Sequence, residues 1–315
     1  MRAFVFPGQG SQKVGMGVEL AGASIAAREV FEEVDDALGQ KLSALMRDGP
    51  DDQLTLTANA QPAIMANAIA VLRVLEKECG MALADSAHGG ADFVAGHSLG
   101  EYTALCAAGA FSLADTARLL KLRGTAMQAA VPVGLGAMCV LLGADIDKAQ
   151  ALAEASAQGE ICTVANDNDP TQVVLSGHTG AIERAIAMVK EFGIKRGMAL
   201  PVSAPFHCPL MQPAAEAMDE ALERTPPAAL RVALFANVTA AVVTDPAEVR
   251  RLLVEQVTGR VRWRESVIAM KAAGVESFVE LGGKVLGPMI SRSVEEVSVA
   301  SIATMADIEA LAKEI

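Results

Sequence analysis

Short continuous apolar runs alternate along this chain with longer stretches in which apolar positions recur every three or four residues, the pattern of an α/β protein with buried strands. Residues 3–6 and 93–95 are such runs, and each leads at once into a glycine-containing segment. Ile64, Ala68, Val71, Leu72 and Leu75 fall at helical spacing and predict a core helix over 63–75. A second helical stretch covers about 29–38. Ser112-Leu113-Ala114-Asp115 reads as a capping box opening a helix that continues to about Met127.

Between about 136 and 202 the elements shorten: strand 137–142, helix 146–156, strand 161–166, strand 172–176, helix 180–192 and strand 196–200. That β-α-β-β-α-β order is the ferredoxin-like arrangement. Asp167-Asn168-Asp169-Pro170 is predicted to turn between the two central strands, and Val131-Pro132-Val133-Gly134 and Pro201 mark hinges at the ends. The chain is therefore read as a large α/β unit with a mostly parallel sheet, residues 1–130 and 203–315, into which a small unit, residues 131–202, is inserted. After the insert the α/β rhythm resumes, with a strand at 232–236, helices at 247–257 and 265–273, a strand at 277–281 and a helix from about Val285.

Composition narrows the function classes. A chain of 315 residues, 52% hydrophobic, has enough apolar material for a substantial core. Its net charge of −12 argues against nucleic acid as a partner, because phosphate binding is driven by clustered Lys and Arg. The five cysteines are scattered without a CxxC pair, which fits reduced thiols in the cytoplasm better than a disulfide framework or a zinc site. The N-terminal apolar run is too short for a signal peptide and the stretch 134–144 too short to span a bilayer, so a soluble protein without membrane attachment is expected.

The chemistry starts at Gly96-His97-Ser98-Leu99-Gly100, between the run Phe93-Val94-Ala95 and a small-residue helix. Gly-x-Ser-x-Gly in that setting puts a serine on a sharp, strained turn with its hydroxyl exposed, the glycines letting strand and helix pass closely. The Leu99 N–H, at the head of the helix, would face an oxygen turning negative above Ser98. The same spacing also serves an ordinary strand-to-helix turn with a capping serine. Pro7-Gly8-Gln9-Gly10-Ser11-Gln12 is a second glycine-rich loop that presents backbone N–H groups but lacks the fuller dinucleotide fingerprint.

A serine hydroxyl needs a base, most often histidine, and the chain has four. His97 adjoins Ser98, but neighbours on a tight turn point apart, which suits a supporting role. His88 and His178 read as solvated loop residues. His207 lies in Ser203-Ala204-Pro205-Phe206-His207-Cys208-Pro209, braced by two prolines, and is the candidate base; Cys208 reads as a packing thiol. Arg123 occupies the apolar stripe Thr116, Leu119, Leu120, Met127. The residues alone leave it two roles. The ordinary one is a last-turn arginine that snorkels or satisfies helix carbonyls; the other is a half-buried guanidinium that grips a carboxylate by two parallel hydrogen bonds.

Phe6-Pro7-Gly8-Gln9-Gly10-Ser11-Gln12, Gly96-His97-Ser98-Leu99-Gly100-Glu101-Tyr102, Arg123-Gly124 with Met127-Gln128, Pro205-Phe206-His207 and Val261-Arg262-Trp263 follow one another in this order over nearly the full length. Together they resemble the malonyl-CoA:acyl carrier protein transacylases of bacterial type II fatty acid synthesis. The resemblance implies a hydrolase-like α/β domain with a ferredoxin-like small domain, and malonyl transfer from malonyl-CoA to acyl carrier protein by a ping-pong route through malonyl-serine. It implies no metal and no cofactor, the coenzyme A thioester being a substrate. Carried over by residue, Ser98 would be the nucleophile, His207 the base, Arg123 the carboxylate clamp, and the N–H groups of Gln9 and Leu99 the oxyanion hole. The Gln256 carbonyl would orient the histidine, Asn166 and His97 would support the site, and the bulk of Phe206 would leave little room for an α-methyl branch. Glu280-Leu281-Gly282-Gly283-Lys284 departs from the pattern, one residue shorter than the usual Gly-Pro-Gly-Lys type of turn, which leaves the geometry of that loop open.

Three rivals stand beside this reading. An acyltransferase loading a polyketide carrier protein would use the same residues. A serine esterase or thioesterase would be expected to follow the order Ser, acid, His, whereas the acidic residues between Ser98 and His207 fall largely in the insert and Arg123 has no purpose for a neutral ester. A non-catalytic docking module would have no need of both Ser98 and His207. Because such carrier proteins are acidic, this acidic chain needs a local basic surface; Lys195-Arg196 and Arg260, Arg262 and Arg264 near Trp263 are the candidates.

Overall fold

A computed structural model describes residues 1–202 and 204–313. Ser203, where the sequence reading restarts the large unit, and Glu314 and Ile315 at its end lie outside the described residues. Among the described residues the strands are β1 (Arg2–Phe6), β2 (Phe93–Gly96), β3 (Gly136–Leu142), β4 (Cys162–Asp169), β5 (Gln172–His178), β6 (Arg196–Ala199), β7 (Ala233–Ala236), β8 (Ala241–Val243), β9 (Ser277–Leu281) and β10 (Ser298–Ile302).

Six of these make the larger sheet, in the order β10-β9-β1-β2-β7-β8, parallel except for the edge strand β8. Its central strands are largely apolar because both faces are covered, Glu280 on β9 being the buried exception. Ala3, Val5 and Phe278 face Trp263, Val267 and Ile290, while Phe4, Phe6 and Val279 face the main core built on the helix Thr57–Glu78. In a sheet of this kind the loops at the carboxyl ends of the strands form the natural site. Here β1 releases Gly8 and Gln9, β2 releases Ser98, and β7 releases Asn237.

The four remaining strands form a separate antiparallel sheet in the order β4-β5-β3-β6, the ferredoxin-like order, with the helices Ile146–Ala157 and Thr179–Met188 on one face. Strand alternation divides its side chains: Cys139, Leu141, Val173 and Leu175 pack under those helices, and Met138, Val140 and Val174 turn to the other side and join the main core.

The structure corrects the predicted turn at 167–170. β4 runs on to Asp169, with two irregularities in its register, and leaves only Pro170 and Thr171 to turn. Polar residues hold a strand here because the large unit satisfies them. The Asp167 carboxylate, fully buried, takes two nitrogens of Arg264 at 2.9–3.1 Å, its N–H donates to the Val261 carbonyl at 2.9 Å, and Asp169 pairs with Arg292 at 3.0 Å. The basic run near Trp263 is consumed in the same way, with Arg260 and Arg262 both paired to Glu265, whereas Lys195 and Arg196 are exposed. His178 is corrected too: its Nδ1 accepts the Ile161 N–H at 2.9 Å. Among the described residues no helix is long and apolar enough to cross a membrane.

Candidate active site

Ser98 sits between β2 and the helix Leu99–Ala107 with φ 54° and ψ −109°, a conformation costly for a residue with a side chain. The turn closes because its flanks are glycine. A Cβ on Gly96 would come within 1.9 Å of the Gly100 carbonyl, and one on Gly100 within 2.2 Å of the Phe6 carbonyl oxygen. Gly100→Ala is accordingly expected to lose about 2–3 kcal/mol of stability in urea unfolding, and a loss below about 1 kcal/mol would show that strand and helix are free to separate. Asn237 holds the turn from β7: its Oδ1 accepts the Ser98 N–H at 2.8 Å and its Nδ2 donates to the Gly96 carbonyl at 2.7 Å.

His207 also has a positive φ, 57°, and is buried. Its Nδ1 lies 2.8 Å from the Gln256 carbonyl, which only accepts, so Nδ1 carries the proton and Nε2 is the acceptor. Nε2 is 2.7 Å from Ser98 Oγ, in line to receive the hydroxyl proton. Burial, with the nearby Arg123 charge adding to it, pushes the imidazole pKa down to about 3. The ring is therefore neutral at physiological pH without a carboxylate partner.

Arg123 corrects the ordinary reading of that position. The helix Leu113–Ala129 continues well beyond it, and the side chain is 1% exposed, so it neither ends the helix nor reaches solvent. Its guanidinium stacks 5.6 Å from the Tyr102 ring centroid and donates to Gln61 Oε1 at 3.0 Å, Gln256 Oε1 at 2.7 Å and Ser98 Oγ at 3.1 Å. Arg123 Nε finds no hydrogen-bond partner among the described residues. Gln61 is itself fixed, its Nε2 turned to the Met127 sulfur at 3.8 Å.

The Gln256 side chain works as well as its carbonyl. Nε2 donates to the Ser98 carbonyl at 2.9 Å and to Glu101 Oε2 at 2.7 Å, leaving Oε1 for Arg123. Burial raises the Glu101 carboxyl to about 7 against the hydrogen bonds from Gln256 and Asn237 and the attraction of Arg123. His97 turns away from Ser98, Nε2 lying 2.9 Å from Asn168 Oδ1 and 3.4 Å from Asn166 Nδ2, its ring 5.8 Å from that of Trp263. Burial lowers its pKa. Cys208 packs with its thiol on the Pro205 carbonyl at 3.1 Å.

Ser98, His207, Arg123, Gln61 and His97 open onto a cavity of about 410 Å³ that also meets Gln9, Leu99 and Phe206. Met138, Val140 and Val174 of the small sheet form its apolar wall. Val285, Leu286 and Met289 border it on another side. That wall settles the short loop 280–284: the Glu280 carboxylate, fully buried, accepts the N–H groups of Val285, Leu286 and Gly287 at 2.8–3.0 Å and the Ser301 hydroxyl at 2.9 Å. The sequence alone gives Gln61, Glu101, Tyr102, Asn237 and the Gln256 amide no role in the site, and it reads Asn168 as a turn residue, because their partners lie on distant segments.

The site combines a base-linked serine, amide-bearing loops on either side of it and a buried cation, the parts of an acyl-transfer centre for a charged acyl group. Residues 3–306 match the family described as the acyl transferase domain. A Bacillus subtilis malonyl CoA-acyl carrier protein transacylase is 43% identical over 292 residues, 92% of this chain and 89% of its own length. The solved acyl-carrier-protein-S-malonyltransferase of Bartonella henselae is 50% identical with a TM-score of 0.95, over 99% of this chain and 98% of its own. A malonyl-transacylase solved in complex with its type II polyketide acyl-carrier protein is 37% identical with a TM-score of 0.94, over 100% of this chain and 99% of its own. With sequence and fold matched from end to end, the chain belongs to the acyl transferase domain family.

Proposed function

We propose that this protein transfers the malonyl group of malonyl-CoA to the phosphopantetheine thiol of acyl carrier protein, supplying fatty acid synthesis. The observation that carries the reading is Arg123, a buried guanidinium 3.1 Å from the Ser98 hydroxyl, where a neutral acyl group would give it nothing to hold. Ser98 attacks the thioester carbonyl while its proton passes to His207 Nε2. The tetrahedral oxygen lies between the N–H groups of Gln9 and Leu99, and the C–S bond breaks as His207 returns the proton to the coenzyme A sulfur. The carrier thiol then gives its proton to His207 and attacks the malonyl-serine ester, and Ser98 leaves with that proton. Phe206, 8% exposed against the cavity, limits the α-carbon, and Asn166 and His97 brace the wall beside Ser98. The thioester brings its own activation, so no cofactor enters this scheme. Residues 131–202 serve as the small domain that walls the cavity, and residues 1–130 and 203–315 as the catalytic one. Five free thiols suit a cytoplasmic setting.

Mass spectrometry of the intact protein mixed with competing acyl-CoAs tests the scheme: one malonyl adduct on Ser98, discharged by carrier protein, is the expected result. Hydrolysis without any thiol acceptor as the main fate of the adduct would assign the site to a thioesterase. Arg123→Ala is expected to cut the preference for malonyl over acetyl by about 10–100-fold, the worth of a charge-assisted pair. Equal losses for both acyl groups would remove the clamp.

A further inference from the structure

Behind the Ser98–His207 pair lies a carboxylate that this chemistry does not use. Glu101 is 1% exposed, on the helix that begins at Leu99. One of its oxygens, Oε2, accepts both the Gln256 amide at 2.7 Å and the Asn237 N–H at 3.3 Å. The opposite end of the same Gln256 amide accepts Arg123 at 2.7 Å. A carboxylate can only take the NH2 end of an amide, so Glu101, together with the Ser98 carbonyl at 2.9 Å, turns the Gln256 carbonyl toward the guanidinium. Arg123 has no carboxylate in direct contact among the described residues; Glu101, one amide away, attracts it across Gln256. The other titratable group facing Glu101 is Tyr102, on its own helix; Gln256 and Asn237 are neutral.

We propose that Glu101 is a positioning residue and the resting counter-charge of Arg123, relayed through Gln256, and that it yields this role to the acyl carboxylate by taking up a proton from solvent as the acyl group docks. The proposal rests on the malonyl-transfer reading above. Two carboxylates about one buried guanidinium repel each other where the dielectric is low. Burial already disfavours the Glu101 charge, and only the bonds from Gln256 and Asn237 and the attraction of Arg123 oppose it, so a second negative charge on the same guanidinium drives it toward the neutral acid. A site that gains a proton on binding binds less well as pH rises past the pKa of the free form. Malonyl selection is therefore strongest below pH 7 and declines above it.

The test is the ratio of kcat/KM for acylation of Ser98 by malonyl-CoA and by acetyl-CoA, read by quenched-flow mass spectrometry from pH 6 to 9. Both donors share the thioester, Ser98 and His207, so those titrations cancel, and the malonyl carboxylate stays ionised throughout. The ratio is expected to fall above pH 7, by at most about tenfold per pH unit. In Glu101→Gln, whose amide oxygen can take the place of Oε2, it is expected to stay level. A level ratio in the unmodified protein, or one that still falls in Glu101→Gln, overturns the proposal. The unmodified profile decides alone if the variant does not fold. Failure of both donors to acylate Ser98 would instead overturn the malonyl-transfer reading, and this proposal with it.

Discussion

Ser98→Ala is expected to abolish the malonyl adduct and to lower transfer to carrier protein by about 10⁴-fold or more, the scale seen when the nucleophile of a serine enzyme is removed. The expectation follows from geometry. Ser98 Oγ is the group that both receives a hydrogen bond from Arg123 and stands in line with His207 Nε2. The methyl of alanine leaves the cavity and its N–H groups in place, so malonyl-CoA should still bind while no covalent intermediate forms. Equilibrium binding together with intact mass separates these outcomes. Retained transfer by Ser98→Ala would mean direct passage from one thiol to the other, and the covalent scheme would fall.

His207→Ala is expected to slow acylation by at least about 10³-fold, since among the described residues nothing else in contact with Ser98 Oγ accepts a proton: Arg123 is a donor only. The pH profile carries a second expectation. With its pKa pushed down to about 3, His207 remains an effective acceptor through the range where an exposed histidine would be protonated. Acylation by acetyl-CoA should stay level from pH 7 down to about 4–5, and an acid limb centred near pH 6.5 would contradict the burial argument. The sign for stability runs the same way. The unfolded chain binds this proton below about pH 6.5 and the native chain only near 3, so stability is lost as the pH falls between those values. Urea unfolding at pH 7 and pH 5 measures that loss.

Much of the architecture was legible because strand and helix periods are local. The apolar run 3–6 and the strand at 277–281 appear within a residue of their predicted places, and the insert keeps its βαββαβ order although β4 runs three residues further and the helix Thr179–Met188 stops four residues sooner than read. The misreadings share one cause. The core helix read over 63–75 opens at Thr57 and runs through Pro62, and the added turns carry Gln61 to Arg123. Asp167 and Asp169 read as turn residues until Arg264 and Arg292, far away in sequence, neutralise them inside a strand. Arg123 reads as a helix-end arginine until the Tyr102 ring and two glutamines enclose it.

By itself the sequence determined the elbow at Ser98, the α/β order and the residue types able to do acyl chemistry, because each depends on neighbours a few positions away. Only the tertiary structure decided which partners they met. His207 comes to Ser98 across 109 positions, Asn237 across 139 and the Gln256 amide across 158. The physical reason is that a polar group's role is set by where its last hydrogen bond goes once water is excluded, and in this site those bonds close between distant segments at the carboxyl ends of neighbouring strands.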